Sequence, residues 1–219
     1  MKVGFIGAGF IARALAGHLI RNGHEVMLSN SREAKSLRSA AVALNCKVGT
    51  AEEAARFGDI VALTVPASAY QNIPAEALIG KIVIDIVNHY PDRDGPIPEL
   101  ENNSLATSEL IARSLPGATV IKAFNAIMAN HLQNHGKPTG TSGRRALPVA
   151  GNDRHAKQLV MSLVDECGFD AVDAGTLADS WKFERARPAY CIPLTKTKLE
   201  EVLANTGRQD FVTEYSWRE

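Results

Sequence analysis

The chain has no excess of charge of either sign. Its 24 Lys and Arg are matched by 24 Asp and Glu, so the formal net charge is zero. Without a basic surplus, neither nucleic acid nor an anionic membrane surface is an expected partner. No apolar run approaches the length of a membrane span. Cysteine is scarce: Cys46, Cys167 and Cys191 are an odd, scattered set. They form no metal motif and suit reduced thiols in a cytoplasm. Met1-Lys2 runs straight into an apolar stretch, so no signal or transit peptide is expected. A metal site is not expected either. His131 and His135 share a helix face at a spacing that binds zinc, but no third ligand accompanies them.

What is present begins at residue 2. Val3 to Ile6 reads as a buried strand. It stops at Gly7-Ala8-Gly9 and resumes at helical spacing through Ile11, Leu15, Leu19 and Ile20. This is the strand, turn and helix of a dinucleotide-binding unit in the form Gly-x-Gly-x-x-Ala. Gly7 permits the turn, Gly9 lets a pyrophosphate approach the backbone, and Ala12 lets the helix pack close. Gly7, Ala8, Gly9, Phe10 and Ile11 are the predicted pyrophosphate contacts, since the free N–H groups of a helix start favour anions.

The second strand, residues 24–29, ends in Ser29-Asn30-Ser31-Arg32. NAD sites place a carboxylate at this tip to bind the ribose 2′-hydroxyl, and here there is none. Asn30, Ser31, Arg32 and Lys35 instead suit a 2′-phosphate, with Arg32 as a forked charged donor. NADP is therefore the expected cofactor. Glu33 is the dissenting charge and is expected to turn away on the following helix. Ser31 can also cap that helix, which is compatible with binding phosphate.

Strands are predicted at residues 46–48, 59–65, 82–86, 118–123, 145–150 and 169–172. A capping box is predicted at Thr50-Ala51-Glu52-Glu53. The expected architecture is a three-layer, doubly wound α/β fold of Rossmann type. Its mainly parallel sheet extends to about eight strands, in one domain over residues 1–219. Residues 174–219 form a lid or a dimer arm within it. Thr64, Val65 and Pro66 follow the fourth strand and should lie beside the cofactor, because ligands bind outside the carboxyl ends of parallel strands. Residues 87–98 read as a long functional loop. Asn88, His89, Tyr90 and Asn125 fall on the same side. Asn125 is placed to bond the nicotinamide amide. His89 is the candidate proton donor, with a loop-stabilising hydrogen bond as its alternative role. Trp181 and Trp217 read as core or interface anchors.

Taken in order, these segments resemble the NADPH-dependent coenzyme F420 reductases. The likeness is carried by Gly7-Ala8-Gly9-Phe10-Ile11-Ala12, Ser29-Asn30-Ser31-Arg32, Thr64-Val65-Pro66 and Val120-Ile121-Lys122-Ala123-Phe124-Asn125, with Val149-Ala150-Gly151-Asn152-Asp153 further on. The resemblance implies an NADP-binding fold and hydride exchange with a deazaflavin. Residues 88–95 and 180–185 depart from the pattern and look like a branch that need not use the deazaflavin.

The other expectations follow from what the chain lacks. Neither Tyr70 nor Tyr90 is followed four residues later by Lys, so the tyrosine–lysine pair of short-chain dehydrogenases is missing. No large helical substrate domain has room to form. The expected function is hydride transfer between NADPH and a deazaflavin, flavin or other small acceptor, in a cytoplasmic homodimer that uses the apolar tail. The alternatives are an NADP-binding regulatory or sensor protein without turnover, and a small-carbonyl or imine reductase.

Overall fold

The computed structural model describes residues 1–32, 34–213 and 216–218. Eight strands form its sheet: β1 (Lys2–Ile6), β2 (Glu25–Ser29), β3 (Lys47–Gly49), β4 (Ile60–Leu63), β5 (Ile82–Asp85), β6 (Thr119–Lys122), β7 (Ala146–Gly151) and β8 (Asp170–Asp173). Their spatial order is β3-β2-β1-β4-β5-β6-β7-β8. The pairings are parallel except β6 with β7, where Ile121 faces Gly151 and Lys122 faces Ala150. The direction of strand succession reverses between β1 and β4, and this switch point is where doubly wound sheets open a crevice.

The helices are α1 (Phe10–Arg21), α2 (Arg38–Leu44), α3 (Ala51–Phe57), α4 (Pro91–Asp94), α5 (Pro98–Glu101), α6 (Thr107–Ser114), α7 (Ala129–Asn134), α8 (Arg154–Glu166) and α9 (Lys196–Asn205). α1, α7 and α8 cover one face of the sheet, where Leu15, Leu19, Leu132, Val160 and Leu163 join Val3 and Phe5 in one core. α3 and α6 cover the other, with Ala55, Leu110 and Ile111 against Val61, Leu63 and Val83. The capping box forms as the sequence indicates. Thr50 Oγ1 accepts from the Glu53 N–H at 3.1 Å, and Glu53 Oε2 accepts from the Thr50 N–H at 2.7 Å.

Two expectations change. The helix after β2 divides into a 3-10 turn, Ala34–Leu37, and α2, and Glu33 lies outside the described residues. The segment read as a structureless loop carries two short helices, each opened by a proline, Pro91 and Pro98. Proline suits a first helical position because its missing N–H would have no helical partner there.

The tail is intramolecular cover. Phe183, Tyr190, Leu199, Leu203 and Trp217 are buried against Ala146, Ala150 and Val172 of β7 and β8. Of the tail's large apolar side chains Phe211 alone is exposed among the described residues. Among the described residues, no helix is long and apolar enough to cross a membrane.

Candidate functional site

A cleft of about 850 Å³ opens at the carboxyl ends of β1, β4, β5 and β6. Its first wall is the turn after β1. Gly7 has φ +109°, and a methyl group there would lie 2.5 Å from Thr64 Oγ1 and 2.6 Å from the Thr64 carbonyl oxygen. Only glycine allows β1 and β4 to meet this closely. At Gly9 the reverse holds: a methyl group would meet nothing within 4 Å, so it would project into open space. Gly9 is also the N-cap of α1, with no side-chain cap and no acidic residue in the first turn. Bare N–H groups beside this open space fit a dinucleotide pyrophosphate.

The cleft is lined by Gly7, Ala8, Gly9, Phe10 and Ile11, by Asn30 and Ser31, by Thr64, Val65 and Pro66, and by Asn88 and Asn125. These twelve are among the residues that the sequence offers as cofactor contacts, and they make up half of the lining. At the β2 tip, Asn30 Oδ1 accepts from the Arg32 N–H at 3.0 Å and Asn30 Nδ2 donates to Ser36 Oγ at 3.0 Å, which fixes the turn. Arg32 and Lys35 are exposed and lie outside the lining.

Asn88 and Asn125 form a reciprocal clamp across the ends of β5 and β6. Asn88 Nδ2 donates to the Asn125 carbonyl at 3.0 Å. Asn125 Nδ2 donates to Asn88 Oδ1 at 3.1 Å and to the Phe183 carbonyl at 3.0 Å. Asn125 Oδ1 is buried without a partner among the described residues, an acceptor suited to a carboxamide N–H. Phe124 before it has φ +58°, an uncommon conformation for a bulky residue. Beneath the clamp, Lys122 and Asp85 are fully buried at the ends of β6 and β5. Lys122 Nζ donates to Asp85 Oδ2 at 3.2 Å and to the Val87 carbonyl. Ser108 Oγ donates to Asp85 Oδ2 at 2.5 Å, and the Val87 N–H donates to Asp85 Oδ1 at 2.9 Å. The backbone just before Asn88 is thereby held by charge from below.

His89 lies outside the cleft lining. Its ring hydrogen-bonds the Gly95 carbonyl at 2.9 Å, and it lines a separate cavity of about 170 Å³ with Glu184 and Phe211. The chain enters α4 through an extended Tyr90 (φ −123°). Successive side chains of extended backbone face opposite ways. Asn88 and Tyr90 thus face the cleft and His89 faces away. The geometry gives His89 the loop-stabilising role, and His89→Ala is expected to cost turnover less than about threefold, against the 10²-fold or more of a general acid.

Sequence reasoning left the far wall largely unread. Tyr190, Cys191 and Trp217 reach the cleft from the tail, opposite Tyr90 and Arg93. The Tyr90 and Tyr190 hydroxyls share a short hydrogen bond. Trp217 meets the Tyr190 ring edge-on at a centroid distance of 5.2 Å, and Arg93 stacks over Tyr90 at 4.8 Å. Burial pushes the Tyr190 hydroxyl up and the Cys191 thiol up to about 12, so both stay neutral near pH 7. Trp181 stands elsewhere, between Arg187 and Arg208 at 5.0 and 4.2 Å. His131 and His135 stack at 4.2 Å, and His131 Nδ1 lies 3.1 Å from Arg145 Nη1.

Residues 2–89 match the family of NADP oxidoreductases described as coenzyme F420-dependent. A solved structure provisionally named an F420-dependent NADP reductase, from Arthrobacter sp. FB24, is 28% identical with a TM-score of 0.70, covering 82% of this chain and 87% of that one. Residues 2–89 thus carry the domain of this NADP oxidoreductase family, and the solved reductase extends the likeness across most of the chain. The hypothetical protein SMa0349 from Sinorhizobium meliloti is 30% identical, with a TM-score of 0.77 over 90% of this chain and 95% of that one. Metalloreductase STEAP3 of Rattus norvegicus is 30% identical over 198 residues, which is 88% of this chain. The chain spans only 38% of that protein's length.

Proposed function

We propose that this chain passes a hydride between NADPH and a flat aromatic acceptor, a deazaflavin or a flavin. The observation that carries this reading is the composition of the cleft. One wall is a dinucleotide cradle and the other is aromatic. Among the described residues, its lining holds no His, Asp, Glu or Lys. Its buried Tyr190 and Cys191 keep their protons near pH 7. A ring-to-ring transfer needs two rings aligned in a dry pocket more than it needs a protein acid. Bound NADPH supplies the hydride. The chain's part is positioning: the α1 start holds the pyrophosphate, Asn125 Oδ1 accepts from the carboxamide, and Tyr90 with Tyr190 sets the width left for the second ring.

The deciding experiment is a stopped-flow scan of NADPH oxidation against a deazaflavin, flavins, ferric chelates, quinones and small carbonyls. Rapid oxidation by deazaflavin or flavin is the expected result. Activity confined to small carbonyls would overturn it, and NADP binding with no turnover on any acceptor would favour a sensor.

The preference for NADP over NAD belongs to the same proposal. Arg32→Ala should weaken NADP by about 1.5–3 kcal/mol, the scale of a charge-assisted hydrogen bond, and leave NAD nearly unchanged. Calorimetric titration with both dinucleotides checks this. Equal affinities in the parent protein would refute it.

A further inference from the structure

The cleft continues past Phe10 and Ala129 into a second groove of about 470 Å³ between α1 and α7. Phe10, at the junction, is 87% exposed. The groove runs along Ala14 and Gly17 of α1 and reaches Leu44 at the end of α2. The missing side chain at Gly17 leaves room that Arg21 borders: a methyl group there would lie 3.4 Å from Arg21 Nη1.

The polar lining is one-sided. Among the described residues it consists of Arg13, Arg21, Asn130 and Gln133, with no carboxylate. Arg13 Nε donates to the Ala8 carbonyl at 2.9 Å, and its terminal nitrogens have no partner among the described residues. Arg21 has no hydrogen bond or ion pair among the described residues. The chain as a whole is neutral, so two unpaired guanidiniums on one groove are not the spill-over of a basic protein. Eight residues apart on one helix, they stand about 12 Å from each other along its axis. That spacing suits an extended anionic chain better than one compact ion.

We propose that this groove holds the anionic arm of the hydride acceptor, a phosphate- or carboxylate-bearing chain trailing from the ring seated in the cleft. The inference rests on the reading of the cleft as a ring-to-ring hydride site. The ring lies by Tyr90 and Tyr190. The arm leaves over Ala129 and Phe10, and its charge meets first Arg13 and then Arg21. None of Asn30, Ser31, Thr64 and Pro66 lines this groove. It is thus separate from the predicted nucleotide contacts at the ends of β2 and β4.

FMN and riboflavin share one ring system and differ by a phosphate at the end of the arm, which makes them the probe pair. Binding of each is measured by calorimetry on the NADP-loaded protein, with NADPH oxidation followed in parallel. FMN is expected to bind about five- to tenfold more tightly than riboflavin, the scale of one or two solvent-exposed ion pairs. Arg13→Ala/Arg21→Ala should bring that ratio close to one, with riboflavin and NADP affinities unchanged. Arg21→Glu alone should reduce the ratio, and added salt should shrink it in the parent protein. Equal binding of the two flavins by the parent overturns the proposal, as does binding of neither. A double variant that loses NADP affinity in proportion to FMN also overturns it, because the arginines would then serve the dinucleotide. FMN preference without hydride transfer would sink the proposed reaction and leave the groove standing. Turnover without FMN preference would do the opposite.

Discussion

Replacing Gly9 with valine is expected to leave the fold intact and to abolish NADP binding. Gly9 has an extended backbone (φ −70°), which any residue adopts, and a side chain there meets no protein atom within 4 Å. The cost to stability is that of a poorer helix cap, about 1 kcal/mol. The cost to binding is far larger, because the new side chain fills the space where a pyrophosphate must approach the N–H groups of α1. A loss of at least about 100-fold in affinity, roughly 2.7 kcal/mol, is the expected result. Gly4 provides the contrast. A methyl group there would sit 1.9 Å from the Ala54 carbonyl oxygen, so Gly4→Ala should damage packing between β1 and α3. Thermal unfolding with calorimetric NADP titration separates the two cases. A Gly9→Val protein that binds NADP like the parent would remove this turn from the cofactor site.

Lys122→Met should be the most destabilising single change near the cleft. Lys122 and Asp85 are both fully buried, and removing the cation leaves the carboxylate facing Ser108 and the Val87 N–H alone. Breaking a buried pair by deleting one partner costs about 3–5 kcal/mol. For a chain of this size that corresponds to a fall in Tm of roughly 6–20 °C. Adding Asp85→Asn should recover part of it, since the orphaned charge is then gone. The same substitution frees the Val87 carbonyl, so Asn88 and the clamp it makes with Asn125 should loosen. In a sample held well below its Tm, NADPH affinity should then fall as well. A Tm within about 2 °C of the parent would show that the pair contributes little.

The outcome at residues 88–90 shows where sequence reasoning stops. Asn88, His89 and Tyr90 all follow β5, and by chain position each is equally near the chemistry. The alternation of extended backbone, fixed by Pro91 opening α4, turns the first and third inward and the second out. A titratable residue after β5, near the cleft, was legible in the sequence. The face it occupies depends on the backbone alternation through residues 88–90, which the type of residue at position 89 does not encode. The far wall of the cleft is hidden in the sequence for a different reason. Tyr190, Cys191 and Trp217 lie 100 residues and more beyond Tyr90 in the chain, and they meet it because α9 packs onto β7 and β8.

The sequence by itself determined the fold class, the eight strands, the glycine turn after β1, the carboxylate-free tip of β2 and the likeness to an NADP oxidoreductase family. Those features are local. They depend on apolar runs, on glycines where backbone must approach backbone or ligand, and on side chains within a few residues of one another. Only the tertiary structure decided the antiparallel β6–β7 junction, the outward turn of His89, the buried Lys122–Asp85 pair and the aromatic far wall. It also decided that the apolar tail is consumed within the chain. Each of these joins residues distant in sequence, and their pairing is set by how the layers pack rather than by any local propensity.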